Sequence, residues 1–329
     1  DPEWVTKLMN DKTEDIKPCI QCHNGCFNMC HYKGVPNDQS LGDALHMARC
    51  ALNPETMQSG KYFIKPAKKI KSVAVIGGGI GGMETAIVLA KRGHNVTVFE
   101  KSKELGGVFI AAAAPSYKES DRSLIEWYKR EIKKYKNIKI VFEKEIKCPN
   151  CLAKEGKFDD VVVATGSVAK HLPIKGNELL IPAVDVLLDK KKVGDSPIII
   201  GGGLTGCEIA YQLSLEGKDP IIVEQKNDLI AMKGVCLANS SYLRDYFALH
   251  KTEIHLNTRL LEITPEGVQV EDPDRNPLFI KGDKVIMSIG YVPQPLKQTR
   301  GKVYYVGDCV SVGNLRTVIW KAWDVAMKL

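Results

Sequence analysis

Apolar residues along the chain gather into short unbroken runs, not long amphipathic stripes, and runs of this size read as strands buried on both faces. Val73–Ile76 is the first; a glycine turn follows it, then a helical stretch to about Arg92, Gly93 as its C-cap residue, and a second strand at Asn95–Phe99. The same succession returns at Pro197: strand Ile198–Ile200, a glycine turn, a helix to about Glu216, Gly217, and strand Pro220–Val223. From Gly77 to Glu100 is 23 residues, and from Gly201 to Glu224 is also 23. Equal spacing marks an internal repeat with equal helices and equal strand returns. Two further strands end in glycine, Val161–Ala164 before Thr165-Gly166 and Val285–Ser288 before Ile289-Gly290. A last strand, Val303–Val306, runs into Gly307-Asp308 and a closing helix to Leu329. Residues 1–66 are irregular and carry cysteine and proline. The expected fold class is α/β, with two Rossmann-like dinucleotide-binding domains behind an irregular Cys-rich N-terminal segment.

Length and composition agree with this: 329 residues exceed one ordinary core, and 44% hydrophobic with 26% charged residues is globular. No apolar run reaches membrane-spanning length. The formal net charge of +7 is spread over lysines near 65–71, 129–136 and 190–192. Without an accompanying aromatic pattern these are solvated faces, and anionic cofactors rather than nucleic acid account for the basic excess. Five of the ten cysteines crowd into residues 19–50, which points to metal in a reducing cytoplasm rather than to a disulfide framework. The opening Asp1-Pro2-Glu3-Trp4 is neither an initiator Met nor a charged-then-apolar leader, so residues upstream are expected to have been removed.

Gly77-Gly78-Gly79-Ile80-Gly81-Gly82 has glycine at the first, third and sixth places, directly after a strand and opening a helix. Gly77 permits the tight turn, Gly79 lets backbone approach a pyrophosphate, and Gly82 packs helix against strand. The helix N-terminus then offers N–H groups to the phosphates. Glu100, followed by Lys101, ends the second strand where a carboxylate can accept from ribose hydroxyls. In the second copy Gly201, Gly203 and Gly206 take the glycine places and Glu224 the acidic one. Glu224 repels a 2′-phosphate and no Arg follows, only Gln225 and Lys226, so NADH is expected over NADPH, with Lys226 still able to turn toward a phosphate.

After the first copy, Leu105-Gly106-Gly107 lets backbone approach a flavin's pyrophosphate or ribityl chain, and Asp308 after Gly307 can bond the same region. A glycine fingerprint paired with a distant Gly-Asp resembles the two-dinucleotide flavoprotein reductases. The resemblance implies FAD in the first unit and an NAD(H) unit inserted into the FAD domain, with Thr165-Gly166 and Ile289-Gly290 at the crossovers. The expected bounds are 1–66 for the Cys segment, 67–180 and 284–329 for the FAD domain, and 181–283 for the NAD(H) domain. Disulfide reductases of that superfamily need a redox cysteine pair beside the flavin, and none follows Gly107. Cys148-Pro149-Asn150-Cys151 is read as a loop pair in preference to a redox or metal site.

Cys19, Cys22 and Cys26 give C-x2-C-x3-C, and Cys50-Ala51-Leu52-Asn53-Pro54 follows. Three thiolates on one loop and a fourth from further on suit a [4Fe–4S] cluster, with zinc the alternative. Together with both glycine fingerprints and Gly-Asp, these segments closely resemble the C-terminal half of the 2,4-dienoyl-CoA reductase, enoate reductase and trimethylamine dehydrogenase family. The resemblance covers essentially the whole chain. It implies an N-terminal FMN-bearing (β/α)8 barrel, absent here, to whose closing segment Asp1–Trp4 is similar. One departure is the stretch of 23 residues between Cys26 and Cys50, longer than the family's usual connection and containing Cys30. Cys50 is taken as the fourth ligand because Asn-Pro follows it, with Cys30 as rival.

The resemblance implies electrons passing from NADH through FAD to [4Fe–4S] and on to FMN in the barrel, which reduces an activated C=C bond of enoate or dienoyl-CoA type. The cofactors carry the hydride, so no catalytic side chain is assigned. The expected activity of this chain by itself is NADH oxidation with artificial acceptors and no enoate reduction. The alternatives are a stand-alone electron-transfer subunit like the small subunit of glutamate synthase, and a non-catalytic FAD-binding redox module. The substrate and homo-oligomerisation stay open. His23 is read as a hydrogen-bond donor, Cys207 and Cys236 as small hydrophobes, Cys309 as a neighbour of the flavin, and Trp320 and Trp323 as core or barrel-interface residues.

Overall fold

Val73, Ala74 and Val75 have no exposed surface, as a strand covered on both faces requires. In the computed structural model, which describes residues 3–27, 48–154, 157–232, 234–296 and 302–329, Ser72–Ile76 is the middle strand of a five-stranded sheet. The order is Val303–Tyr305, Asp160–Val163, Ser72–Ile76, Asn95–Phe99, Ile138–Val141, every pair parallel. Val73 and Val75 join a core with three helices, while Ala74 and Ile76 face Val161, Val163 and Cys309 on the other side.

The helix Ile80–Lys91 is buried from Ile80 to Ala90, so it is apolar all round apart from Thr85 and Glu84. Against it pack the amphipathic helix Glu119–Glu131, through Leu124, Trp127 and Tyr128, and the closing helix Leu315–Ala326, through Ile319, Ala322, Trp323 and Ala326. Both sets follow the three-and-four spacing of one helical face. Asn314 starts the closing helix with a reciprocal cap: its Oδ1 accepts from the Thr317 N–H (3.2 Å) and its N–H donates to Thr317 Oγ1 (3.0 Å).

The second glycine turn belongs to another parallel five-stranded sheet, ordered Leu180–Pro182, Val285–Met287, Ile198–Ile200, Ile221–Val223, Ile254–His255. Its core takes in Cys207, Ile209 and Leu213 of helix Leu204–Leu215 and Phe247 of helix Leu237–Leu249. A three-stranded antiparallel sheet, Arg259–Thr264, Gly267–Glu271 and Pro277–Lys281, was not anticipated; its Val268 and Val270 are buried on alternate positions.

The chain forms two compact units: residues 1–110, 119–168 and 292–329, and residues 111–118 with 169–291. The passages fall after Val168 and Tyr291, earlier and later than the expected bounds near 180 and 284. Backbone bonding explains the shift. Gln294 N–H donates to Gly166 O (3.1 Å) within the first unit, and Lys170 N–H to Gly290 O (2.9 Å) within the second. Residues 111–118, expected within the FAD domain, go with the second unit because Ser116 Oγ and N–H both donate to Gln212 Oε1 (2.8 Å each) and Lys118 pairs with Glu208 at 2.7 Å. Among the described residues no helix is long and apolar enough to cross a membrane.

Candidate functional site

At the C-terminal end of strand Ser72–Ile76 the chain turns through Gly77, whose φ of +110° suits only glycine and where a Cβ would meet the Ala164 carbonyl. A Cβ on Gly82 would collide with the Gly77 carbonyl, so helix and turn close onto each other only without side chains. Gly79 is different. A Cβ there would have nothing nearer than 4.0 Å, and no side chain caps the helix that starts after it. The first-turn N–H groups thus face an open cradle of the kind a pyrophosphate fills. Strand order reverses here between Ser72–Ile76 and Asp160–Val163, which is where open α/β sheets take ligands.

Leu105-Gly106-Gly107 comes up against this turn: Gly106 N–H donates to Gly78 O (2.9 Å), and a Cβ on Gly107 would lie 3.1 Å from Gly79 Cα. Glu100 is buried and holds the turn, its Oε2 accepting from Gly78 N–H (2.6 Å) and Oε1 from Ser102 N–H (2.8 Å). Each oxygen keeps a second lone pair for a ribose hydroxyl. Lys101 beside it is exposed. Gly307-Asp308 follows the edge strand Val303–Tyr305, which pairs with Asp160–Val163; Asp308 accepts from Gly313 N–H (3.1 Å) and Ser167 Oγ (3.4 Å), and burial raises its carboxyl against those two bonds. Thr165 Oγ1 donates to Gln294 O (2.6 Å), and Gly166 follows with φ +71°. The first-unit residues expected around FAD are therefore gathered at one end of one sheet.

The second turn repeats this almost atom for atom. Gly201 has φ +107° against the Ser288 carbonyl, Gly206 closes on the Gly201 carbonyl, and a Cβ on Gly203 would have nothing within 4 Å. Glu224 accepts from Gly202 N–H (2.6 Å) and Lys226 N–H (2.8 Å). Lys226 Nζ donates to Ala231 O (2.9 Å), so its ammonium is engaged within its own loop. Gly290 has open space around it. The repeat reaches further than the fingerprints: Ile230 N–H donates to Gly202 O (2.8 Å) as Gly106 N–H does to Gly78 O, and Leu229 stands where Leu105 stands. Side chains at Ile230 and Ala231 thus replace the bare backbone of Gly106 and Gly107. The equal spacing of Leu105 and Leu229 from their fingerprints was the signal that could have shown this.

Cys19, Cys22, Cys26 and Cys50 line one pocket of about 290 Å³ in the first unit, with Lys17, Pro18 and Leu52. Gly25 O accepts from Arg49 N–H (2.5 Å), which joins the two chain segments carrying the thiols. Gln21 N–H donates to Cys19 Sγ (3.4 Å). Burial pushes the Cys22 thiol up to about 11, and the nearby Cys50, Cys26 and Cys19 add to the rise while the Asn24 backbone opposes it. Among the described residues no three His, Cys, Asp or Glu side chains are set to hold a single ion. Cys30 lies outside the described residues. His23 packs edge-on to Phe27 at 5.5 Å.

The segment before the cysteines is tied to the glycine-turn helix by a contact with no short-range signal in the sequence. Lys17 Nζ reaches Glu84 Oε2 (3.1 Å) in the helix that begins at the first glycine turn. Tyr128 O–H donates to the same oxygen (2.5 Å) and Trp323 Nε1–H to Oε1 (2.6 Å). Burial alone would raise the Glu84 carboxyl, but Lys17 and these donors hold it below the usual carboxylate range. Cys148 and Cys151, read as a loop pair, are joined by a disulfide at the start of the short helix Pro149–Lys154. Cys207, Cys236 and Cys309 are buried, and Trp323 is a core residue.

Residues 71–305 match the family described as pyridine nucleotide-disulphide oxidoreductase. The chain is 33% identical over 337 residues to a cinnamate reductase of Clostridium sporogenes, and 31% over 346 residues to an NADH oxidase of Thermoanaerobacter brockii. All of this chain is covered in both, with 48% and 50% of the relative. A solved 2-naphthoyl-CoA reductase superimposes with a TM-score of 0.86 at 27% identity, covering 100% of this chain and 49% of that one. The chain thus spans about half the length of these relatives and matches their C-terminal half. With two glycine cradles of matching geometry in an α/β frame, it belongs to the pyridine nucleotide-disulphide oxidoreductase family and is an NAD(P)H-dependent flavoprotein oxidoreductase module.

Proposed function

We propose that the module takes FAD at Gly77–Gly82 and NADH at Gly201–Gly206, and carries a [4Fe–4S] cluster on Cys19, Cys22, Cys26 and Cys50 that delivers electrons to an FMN-bearing (β/α)8 barrel reducing activated C=C bonds. The observation that carries this reading is the convergence of four cysteine thiols on one pocket within the same unit as the first glycine cradle. The flavin held at the first cradle would supply the exchange between a two-electron hydride from the nicotinamide and the single electrons that an iron–sulfur cluster relays. The chain's own part is positioning. Gly79 and Gly203 leave room for phosphates at uncapped helix starts. Glu100 and Glu224 shape the turns and keep lone pairs for ribose hydroxyls. Asp308, held by Gly313 and Ser167, lies where it can bond the flavin's ribityl or pyrophosphate region.

FAD is assigned to the first site because the bare backbone of Gly106 and Gly107 comes up against the Gly78–Gly79 turn, where the second unit carries Ile230 and Ala231 instead. NADH is favoured because Glu224 is an acid and Lys226 is engaged with Ala231. The names of the relatives, cinnamate reductase and 2-naphthoyl-CoA reductase, support an unsaturated acid or acyl-CoA as the terminal acceptor of a longer protein.

An anaerobic visible spectrum with flavin, iron and sulfide analysis tests the cofactor set. One FAD and about four irons per chain, bleached faster by NADH than by NADPH, is the expected result; a chain that binds stoichiometric zinc and no iron would overturn it. NADH oxidation with an artificial acceptor and no enoate turnover is expected of this chain alone.

A further inference from the structure

Glu84 is a carboxylate in a helix otherwise made of Ile, Gly, Met, Ala, Val and Leu up to Lys91, apart from Thr85, and only 4% of it is exposed. Taking a charge out of water is costly even when it is paired, and a buried pair is commonly no more stable than an apolar replacement of equal volume. Its presence in such a helix raises the question of a role beyond stability. The partners supply one. Lys17, which bonds Glu84, also donates to Leu52 O (2.9 Å), so its ammonium ties the segment before Pro18-Cys19 to the segment after Cys50. That ammonium lies 4.9 Å from the ring centres of both Trp127 and Tyr128, which enclose it. Trp323 donates to the other carboxylate oxygen, and Trp320, on the same helix, donates to the carbonyl of Cys50 itself (3.0 Å).

Glu84 also sits two residues past Gly82, in the helix whose first turn faces the phosphate cradle. One carboxylate thus joins the glycine-turn helix, both flanks of the cysteine pocket, and the closing helix that follows Gly307-Asp308. We propose that Glu84, acting through Lys17 and Trp323, is the positioning residue that orders the cysteine pocket and fixes it relative to the flavin cradle. This rests on the reading of that pocket as an iron–sulfur site. The hydrogen bonds to Glu84 come from Lys17, Tyr128 and Trp323, and it acts on the pocket through Lys17, which also bonds Leu52 O, and through the helix of Trp323, whose Trp320 bonds Cys50 O.

The test uses the full chain in three forms: wild type, Glu84→Gln, and Lys17→Met with Glu84→Met, which removes both charges and keeps the core filled. FAD content and melting temperature report the fold. Iron and sulfide content, the electron paramagnetic resonance signal of the reduced protein, and the alkylation rates of Cys19 and Cys50 after chelation report the pocket. In both variants FAD should be retained while iron falls several-fold, the resonance signal broadens, and alkylation quickens by about tenfold, as a loop freed to open would show. A double variant with wild-type iron, signal and alkylation rates would overturn the proposal. If wild type itself holds no iron, the cluster reading fails; alkylation then decides on Glu84 alone, faster rates in both variants supporting the ordering role and unchanged rates refuting it. Should Glu84→Gln fail to fold, the double variant decides.

Discussion

Gly203 separates what the fold needs from what the ligand needs. Its φ of −69° and ψ of 178° are open to any residue, and a Cβ built there has nothing within 4 Å. Alanine should therefore be accommodated without backbone movement. At an N-cap position alanine is worse than glycine by several tenths of a kcal/mol to about 1 kcal/mol, while the stiffer unfolded chain returns about 0.4–1 kcal/mol. Stability is expected to change by less than about 0.5 kcal/mol. Binding is another matter, because the space a methyl takes is the space a phosphate needs to reach the uncapped N–H groups. Losing one charge-assisted hydrogen bond costs about 1.5–3 kcal/mol, or roughly ten- to hundredfold in affinity. Stopped-flow reduction of the bound flavin by NADH gives the affinity, and thermal unfolding gives the stability. FAD content serves as control, since Gly79 and its cradle are untouched. An unaltered NADH affinity in Gly203→Ala would refute the second cradle as a phosphate site. A collapse of melting temperature would instead refute the claim that the position is sterically open.

Other outcomes follow from the same geometry. Glu224→Ser removes the acid that would face a 2′-phosphate, and NADPH should gain on NADH by about tenfold or more in kcat/KM for flavin reduction; an unchanged ratio argues against Glu224 as the ribose partner. Glu84 is held below its ordinary value of 4.5 by Lys17 and the two hydrogen-bond donors, against burial, so its contribution to stability is present above that value and disappears as pH falls through the depressed one. The gap in urea-unfolding free energy between wild type and Glu84→Gln should accordingly narrow on acidification, and a widening gap would contradict the assignment. Cys50→Ser should lose the cluster and Cys30→Ser retain it, as read by iron and sulfide content; the reverse would make Cys30 the fourth ligand.

The parts of this molecule legible in sequence are those fixed by short-range constraints. Gly77 needs a positive φ and Gly82 a missing side chain whatever surrounds them, so their spacing carries the turn, the helix and the strand return with it. Ile198–Ile200 falls where the apolar run placed it, because a strand buried on both faces has no polar alternation to blur its ends, whereas Asn95–Phe99 alternates and is located by its distance from Gly77. The antiparallel strands around Val268 and Val270 are harder to read, because the period of two there spans only five residues and starts at a glycine. Residues 111–118 show a different failure, since their membership of the second unit depends on Gln212 and Glu208, nearly a hundred positions away.

Glu84 lies between these cases. A lone acid in an apolar helix is visible as an anomaly in sequence, and the anomaly is itself a signal that a cation must come to it. Which cation cannot be read, because Lys17 is one of many lysines and is singled out only by folding. The comparison of the two repeats sharpens this point. Both fingerprint helices carry an acid two residues past the last glycine, Glu84 and Glu208, and each is met by a lysine, Lys17 and Lys118. In the first unit the lysine comes from the flank of the cysteine pocket; in the second it comes from the segment 111–118. The same acidic position has been used twice to fasten an irregular stretch of chain onto a regular frame. The two repeats thus share an attachment point as well as a cradle, and they differ in the segment fastened at each.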